Sequence, residues 1–172
     1  VELLSRVSPP MLMNSLEKVM AYAPPFVYSK IEGIKSPTGV EAEGWLISDG
    51  TWRTPGEERR FLRALRRYGD AAVFVAELPT DGIVGRLSLG RDPHPASRHV
   101  ADLGLMVSAL HRRRGIGTAL LREAEEWAKA VGVRKLELHV FPHNDAAIQL
   151  YESRGFRREG LRRGHYRRAA EY

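Results

Sequence analysis

The chain has 172 residues, of which 43% are hydrophobic and 28% charged, with a net charge of +6 and a pI of about 9.9. These values predict one soluble globular domain with a sizeable core, and no apolar run is long enough to span a membrane. The absence of cysteine excludes disulfides, thiolate catalysis and cysteine zinc sites. The N-terminal region lacks the layout of a signal peptide, so we expect a cytoplasmic protein.

The first third of the chain has a weak pattern. Ser8 and the two prolines after it can cap and open a helix, which ends at Pro24. A strand is predicted over residues 26–34, and residues 35–56 are rich in Gly, Pro, Ser and Thr. A capping box with proline at the first helical position then predicts a helix over residues 55–68.

The rest of the chain is strongly patterned. A Pro-Thr-Asp-Gly hairpin signal separates its first two strands, and a loop over residues 90–98 follows. In chain order we predict strands 73–78, 83–89 and 100–107, a helix over 116–131, a strand over 135–140, a helix over 144–154 and a strand over 156–166. This order, with a βαβ unit over residues 100–140, predicts a mixed sheet with helices on its faces.

Three consecutive arginines, Arg112, Arg113 and Arg114, run into Gly115 and Gly117 at the start of a predicted helix. A helix N-terminus favours anions, and glycines let a ligand approach the backbone closely, so this turn is a candidate phosphate cradle. The alternative is a glycine-assisted turn with solvated arginines. The segment lacks the lysine of a P-loop and the spacing of a dinucleotide-binding turn.

A second motif lies further along the chain: Asn144-x-x-Ala147-x-x-Leu150-Tyr151-Glu152-x-x-Gly155-Phe156. Together with Arg112-x-x-Gly115-x-Gly117, in this order and separated by one strand, it resembles the GNAT superfamily of acyl-CoA-dependent N-acetyltransferases. The resemblance covers roughly residues 54–168. It implies a single α/β (α+β) domain over residues 1–172, with a variable acceptor-side region at 1–53 and an acetyl-CoA-binding core at 54–168.

The resemblance also implies a mixed central sheet with helices on both faces, in which the parallel strands 100–107 and 135–140 splay apart to form an acyl-CoA cleft. The backbone of strand 100–107 would pair with pantetheine, and amides of residues 112–118 would hold the pyrophosphate. The residues expected to contact acetyl-CoA are Leu105, Met106, Val107, Arg112, Arg113, Arg114, Gly115, Ile116, Gly117, Thr118, Asn144, Ala147 and Tyr151.

Acetyl transfer to an amine needs a base for the amine and an acid for the leaving thiolate. Tyr151 matches the family position of the general acid, although it could also be a packed aromatic side chain. His139 is the first candidate base, because it lies where N-terminal acetyltransferases often carry a glutamate. Asp102 and a water relay remain alternatives. Asn144 could act as a helix N-cap, as a CoA contact, or as both.

The leading hypothesis is therefore an acetyl-CoA-dependent N-acetyltransferase that acts on a small amine or a protein N-terminus by direct attack in a ternary complex. The alternative is a non-catalytic acyl-CoA sensor. We expect no membrane partner and no metal, because Pro142 interrupts the spacing of His139 and His143. A basic nucleic-acid binder ranks last, because an interleaved aromatic and basic surface is lacking. The arginines of residues 157–168 are expected to be solvated, and a homodimer is left open.

One feature of the sequence departs from the family. Such chains usually finish with a strand that pairs with the one after the Gly-Phe dipeptide, whereas here the sequence stops at Tyr172. An unpaired strand over residues 156–166 would expose a sheet edge. We expect residues 1–7 to supply the missing partner, either in the same chain or from another subunit, as in a circular permutation or an exchanged terminus.

Overall fold

The computed structural model describes residues 1–7, 57, 60 and 70–165. The helix predicted from Ser8 to Pro24 and the strand predicted over residues 26–34 lie outside the described residues. Of the helix predicted over residues 55–68, Glu57 and Arg60 are described, and both are helical.

Six strands form one mixed sheet. They are β1 (Glu2–Val7), β2 (Ala71–Leu78), β3 (Gly82–Arg91), β4 (Val100–Val107), β5 (Lys135–Val140) and β6 (Arg157–Leu161). Their order across the sheet is β2-β3-β4-β5-β1-β6. Only β4 and β5 run parallel, and the other neighbours are antiparallel. The mixed sheet and the βαβ unit predicted from the sequence are confirmed.

The central strands follow the predicted pattern closely. β4 and β5 have the predicted bounds, while β2 begins two residues early and β3 continues to Arg91. β3 is longer than predicted because it pairs on both sides, with Ala71 opposite Gly90 and Ala101 opposite Arg91. These ladder hydrogen bonds hold residues whose side chains carry no strand signal.

Two helices are described, α1 (Ile116–Ala130) and α2 (Asp145–Ser153). Both pack on one face of the sheet, where the position of a Cβ on Gly117 lies against Leu150 and Arg154 contacts Glu125. The other predicted helices lie outside the described residues, apart from Glu57 and Arg60. No described helix combines the length and apolarity needed to cross a membrane.

The first strand fills the position next to β6. β1 lies between β5 and β6, antiparallel to both, so the strand after Phe156 is paired within the same chain. Leu4 of β1 is fully buried. β6 ends at Leu161, earlier than predicted, because its ladder with β1 reaches only the pair of Leu161 with Glu2.

A hydrophobic core lies between the sheet and the two helices. It contains buried side chains from the central strands and from both helices: Leu4, Leu87, Leu103, Leu121, Trp127, Leu136, Leu138, Ile148, Tyr151 and Phe156 among others. A buried ion network closes one end of this core. Glu125 of α1 accepts from Arg6 Nη1 at 2.7 Å and from Arg154 Nη2 at 2.9 Å, which joins β1, α1 and the end of α2.

Candidate active site

The two parallel strands separate partway along their length. β4 and β5 are registered only from Val100 with Lys135 to Asp102 with Glu137. Beyond that pair, β4 remains bound to β3 as far as Val107, and β5 remains bound to β1 as far as Val140. The sheet therefore opens into a fork, as the resemblance implies. No described strand pairs with the inner edge of β4 at residues 103–107.

A groove of about 480 Å³ lies beside the far half of β4, between α1 and α2. We call it the fork groove. Apart from Arg114, every residue predicted to contact acetyl-CoA lines it: Leu105, Met106, Val107, Arg112, Arg113, Gly115, Ile116, Gly117, Thr118, Asn144, Ala147 and Tyr151. Arg114 is exposed outside the lining. The structure therefore brings together residues from β4, the turn before α1, and α2.

Residues 108–115, the arginine loop, connect β4 to α1. A 3-10 turn at Ala109–His111 is followed by Arg113 at φ 61° and Gly115 at φ 81°, both left-handed. Residues with side chains rarely adopt this conformation, and alternating left-handed residues turn successive amides toward one side, which creates an anion-binding concavity. The loop delivers the chain to the N-terminus of α1 at Ile116, where the helix dipole also favours an anion.

Gly117 faces a side chain of α2. A Cβ at this position would lie 2.8 Å from Leu150 Cδ2, so a larger residue would displace the end of the Leu150 side chain. The sequence had suggested that a missing Cβ lets a ligand approach. The structure adds a second reason, because the same glycine lets the two helices that flank the groove approach each other.

Asn144 caps α2, as one of its predicted roles requires. Its side-chain oxygen accepts a hydrogen bond from Ala147 N at 3.2 Å, and α2 begins at Asp145. Capping satisfies one of the otherwise unpaired amides at the start of the helix. The residue also lines the fork groove, so capping does not remove it from the site.

Tyr151 lies in the last turn of α2. It is only 6% exposed, its ring centre is 5.7 Å from that of Phe156, and it still lines the fork groove. Burial raises the pKa of its phenol above the ordinary value, because the charged phenolate is poorly solvated there. The side chain therefore keeps its proton at neutral pH and can only donate it.

His139 lies on the other face of the sheet. Its neighbours Leu138 and Val140 are buried with the helices, so alternation along β5 directs the half-buried His139 to the opposite side. It does not line the fork groove. Burial lowers its pKa, and the nearby charges of Arg162 and His165 lower it further. The imidazole is therefore neutral near pH 7.

The comparisons with known proteins agree with this geometry. The sequence model of the acetyltransferase (GNAT) family matches residues 41–156. The chain belongs to this family. Among curated proteins it is 35% identical over 94 residues to the L-amino acid N-acetyltransferase AaaT of Escherichia coli, covering 52% of this chain and 56% of that protein. It is 45% identical over 86 residues to the N-alpha-acetyltransferase RimI of Mycobacterium tuberculosis, covering 50% of this chain and 51% of that protein.

The matched segments thus span about half the length of these curated relatives. A solved structure extends the likeness to most of the fold. The GNAT-family acetyltransferase of Streptococcus pneumoniae superposes with a TM-score of 0.72 at 28% identity, covering 96% of this chain and 91% of that one. The mixed sheet with its fork is therefore the GNAT fold.

The groove of this GNAT chain also contains residues that sequence reasoning missed. They are His111, Ala146, Gln149, Leu150 and Ser153. Four of them lie on α2 at spacings of three and four residues, which places them on one helix face, so their periodicity was an available signal. His111 is different, because its partner is distant in sequence: its Nε2 lies 2.9 Å from Asp81 Oδ2.

Within the described ranges, no group of three or more His, Asp or Glu side chains is arranged to hold a metal ion. Polar groups do meet at the fork, where Asp102 and Glu137 lie opposite each other on the same sheet face as His139. Burial raises the pKa of Asp102 to about 6, and the charge of Glu137 raises it as well. Asp102 is thus a second group that can exchange a proton near neutral pH.

Proposed function

We propose that this chain is an N-acetyltransferase that moves an acetyl group from acetyl-CoA to a primary amine by direct attack in a ternary complex. One observation carries the proposal: a single groove runs from the far half of β4, beyond its last pair with β5, to the left-handed turn at the N-terminus of α1. This combination suits a ligand with an extended amide-containing arm at one end and a pyrophosphate at the other.

The residues of the groove fit acetyl-CoA in their chemistry. The inner edge of β4 at residues 105–107 offers backbone groups to the pantetheine amides, as an added strand would. The amides of residues 112–118 and the dipole of α1 favour the pyrophosphate. Arg112 and Arg113 add positive charge to the same side of the groove.

The chemistry requires two proton transfers. Bound acetyl-CoA would supply an activated thioester carbonyl, at which the C–N bond forms as the C–S bond breaks. We assign the general acid to Tyr151, whose Oη holds its proton at working pH and donates it toward the leaving sulfur. The phenolate left behind must regain a proton before the next turnover.

We assign the general base to His139. An amine attacks only as the neutral species. We place the acceptor on the sheet face opposite the helices, where the neutral imidazole of His139 can take up its proton. Asp102 is the competing base, since its pKa of about 6 also makes it a usable acceptor at neutral pH. The two can be separated by variants.

A pH–rate profile distinguishes the two bases. If His139 is the base, kcat/KM falls at acidic pH in the wild type, and His139→Gln lowers the rate by about 100-fold and removes this acidic dependence. Asp102→Asn should retain the fall of kcat/KM at acidic pH. The opposite result, in which only Asp102→Asn loses this fall, would assign the base to Asp102.

The acceptor is proposed to be an α-amino group. Two relatives carry names for such acceptors, one for free L-amino acids and the other for the N-alpha position. Free amino acids and peptide N-termini present the same nucleophile and differ in what surrounds it. A panel that contains both kinds of acceptor therefore tests the class and chooses within it.

The direct test is the release of free thiol from acetyl-CoA in the presence of amino acids, polyamines and short peptides. We expect turnover with one acceptor class and a reduction of at least tenfold in Tyr151→Phe, with acetyl-CoA affinity preserved. Tight acetyl-CoA binding without turnover on any acceptor would contradict the enzyme and favour an acyl-CoA sensor.

A further inference from the structure

His111 connects the arginine loop to a distant hairpin. Its Nε2 lies 2.9 Å from Asp81 Oδ2, and its Nδ1 lies 3.3 Å from Ser108 Oγ. Asp81 belongs to the turn between β2 and β3, 30 positions earlier in the chain. The side chain of His111 is 12% exposed and lines the fork groove. One imidazole therefore touches the hairpin turn, the end of β4 and the groove.

The arginine loop has another attachment to the sheet. Ser108 N donates to Val84 O of β3 at 2.8 Å, and His111 N donates to Ser108 O at 2.9 Å. Both of these bonds involve the beginning of the loop, before the left-handed Arg113. Left-handed backbone is costly for a residue with a side chain, so it persists only where its surroundings hold it. Arg112 Nε ties the loop to its own strand by donating to Val107 O at 3.3 Å, whereas the contact of His111 with Asp81 ties it to the separate turn between β2 and β3.

The contact favours the ionised carboxylate of Asp81. The hydrogen bond from His111 holds the pKa of Asp81 below its usual range, and the charge of Arg114 adds to the effect. The carboxylate therefore accepts from the ring, and this hydrogen bond fixes the orientation of the imidazole beside the groove.

We propose that Asp81 is a positioning residue for the binding of acetyl-CoA. It acts through His111 to hold the arginine loop in its left-handed conformation, and so sets the affinity for the pyrophosphate portion of acetyl-CoA. The proposal rests on the proposed function, because it assumes that the fork groove takes acetyl-CoA. The proposal predicts that loss of the contact weakens binding of the pyrophosphate portion and leaves the rate of the chemical step unchanged.

Calorimetry with two ligands tests this prediction. CoA contains the pyrophosphate, whereas pantetheine lacks it. We expect Asp81→Asn and His111→Gln each to weaken CoA binding by about fivefold, the size of one partly exposed hydrogen bond, and to leave pantetheine binding unchanged. The double variant should be no weaker than the single variants, because both act through one contact.

Asp92→Asn is the matched control. Asp92 follows the opposite end of β3 and accepts a hydrogen bond from His94 N at 2.8 Å, so it is also a loop aspartate with a local partner. Its replacement should leave CoA affinity unchanged. In steady-state assays, Asp81→Asn should raise the KM for acetyl-CoA with kcat preserved, which a general loss of folding would not produce.

The outcomes separate the two proposals. If the wild type binds neither CoA nor acetyl-CoA, the proposed function fails. If the wild type binds CoA and Asp81→Asn binds it equally well, the positioning role is overturned while the proposed function stands. Equal losses of CoA and pantetheine affinity would also overturn the positioning role, since they would indicate a general structural effect.

Discussion

Asp102 of β4 and Glu137 of β5 lie opposite each other in the last registered pair before the two parallel strands separate. The fork therefore begins at two carboxyl groups. Burial raises the pKa of Asp102 to about 6, and the charge of Glu137 adds to the increase. A fork that begins at this pair of acids combines a structural opening with a group whose protonation changes near neutral pH.

This pair predicts a pH-dependent stability. Because the folded-state pKa of Asp102 lies above the unfolded value of 3.8, its contribution becomes unfavourable as pH rises from about 4 to about 6. The full shift corresponds to about 3 kcal/mol. Asp102 is partly desolvated but keeps accessible surface, and solvent screening there reduces the expected gain in Asp102→Asn at pH 7 to about 1 kcal/mol.

Urea unfolding at pH 7 and below pH 4 measures the effect of Asp102→Asn, which should disappear at the lower pH. Asp70→Asn is the control with the opposite sign. Arg98 holds the pKa of Asp70 below its usual range, so this variant should lose stability at pH 7. A gain from Asp102→Asn that is equal at both pH values would contradict the electrostatic explanation.

The network at Glu125 predicts a large stability effect. Glu125 is 9% exposed and binds Arg6 and Arg154 together. Its replacement by Ala leaves two guanidinium groups beside the core without a counter-charge, and should lower the free energy of unfolding by about 3 kcal/mol. Glu126→Ala next to it should change stability by less than about 0.5 kcal/mol, because the pair with Lys129 is exposed. Similar losses in both variants, measured by denaturant unfolding, would contradict the network's role.

The position of β1 is tested by a core truncation. Leu4 is fully buried in the strand that separates β5 from β6, so Leu4→Ala should cost about 3 kcal/mol. Leu161 of β6 is 51% exposed, and Leu161→Ala should cost less than about 1 kcal/mol. Thermal unfolding of the two variants compares these costs. A Leu4→Ala variant as stable as the wild type would show that β1 does not occupy this place.

The close approach of α1 and α2 predicts the behaviour of Gly117. A Cβ 2.8 Å from Leu150 Cδ2 must displace that side chain, so Gly117→Ala should destabilise the fold by about 1–2 kcal/mol. Acetyl-CoA binding should weaken as well, because both residues line the groove. Gly160→Ala in β6 meets no atom within 4 Å and should be neutral. Wild-type stability and affinity in Gly117→Ala would contradict the packing argument.

Local patterns predicted the parts of the fold that depend on neighbouring residues. The bounds of β4 and β5, the N-cap at Asn144 and the end of α2 before Gly155 all follow from alternation, periodicity and capping. The resemblance carried by the two motifs also identified twelve of the seventeen residues that line the groove, because a turn at a helix start and a helix face are both short-range features.

Features made by distant residues were predicted less well. The sequence suggested that residues 1–7 could pair with the last strand, but it could not choose between the same chain and another subunit. It contained no signal for the contact of His111 with Asp81 or for the network around Glu125, because these side chains meet only after the sheet has assembled. The predicted length of β6 was wrong for the same reason, since the end of this strand depends on its register with β1.

Whether the fork groove holds acetyl-CoA is decided most directly by NMR, with acetyl-CoA titrated into the isotopically labelled wild-type chain. The amide shifts should be saturable and largest at residues 112–118 and 105–107, which form the left-handed turn and the inner edge of β4. Saturable shifts confined to the exposed arginines Arg157 and Arg158 of β6, or no saturable shift in the groove, would contradict the assignment.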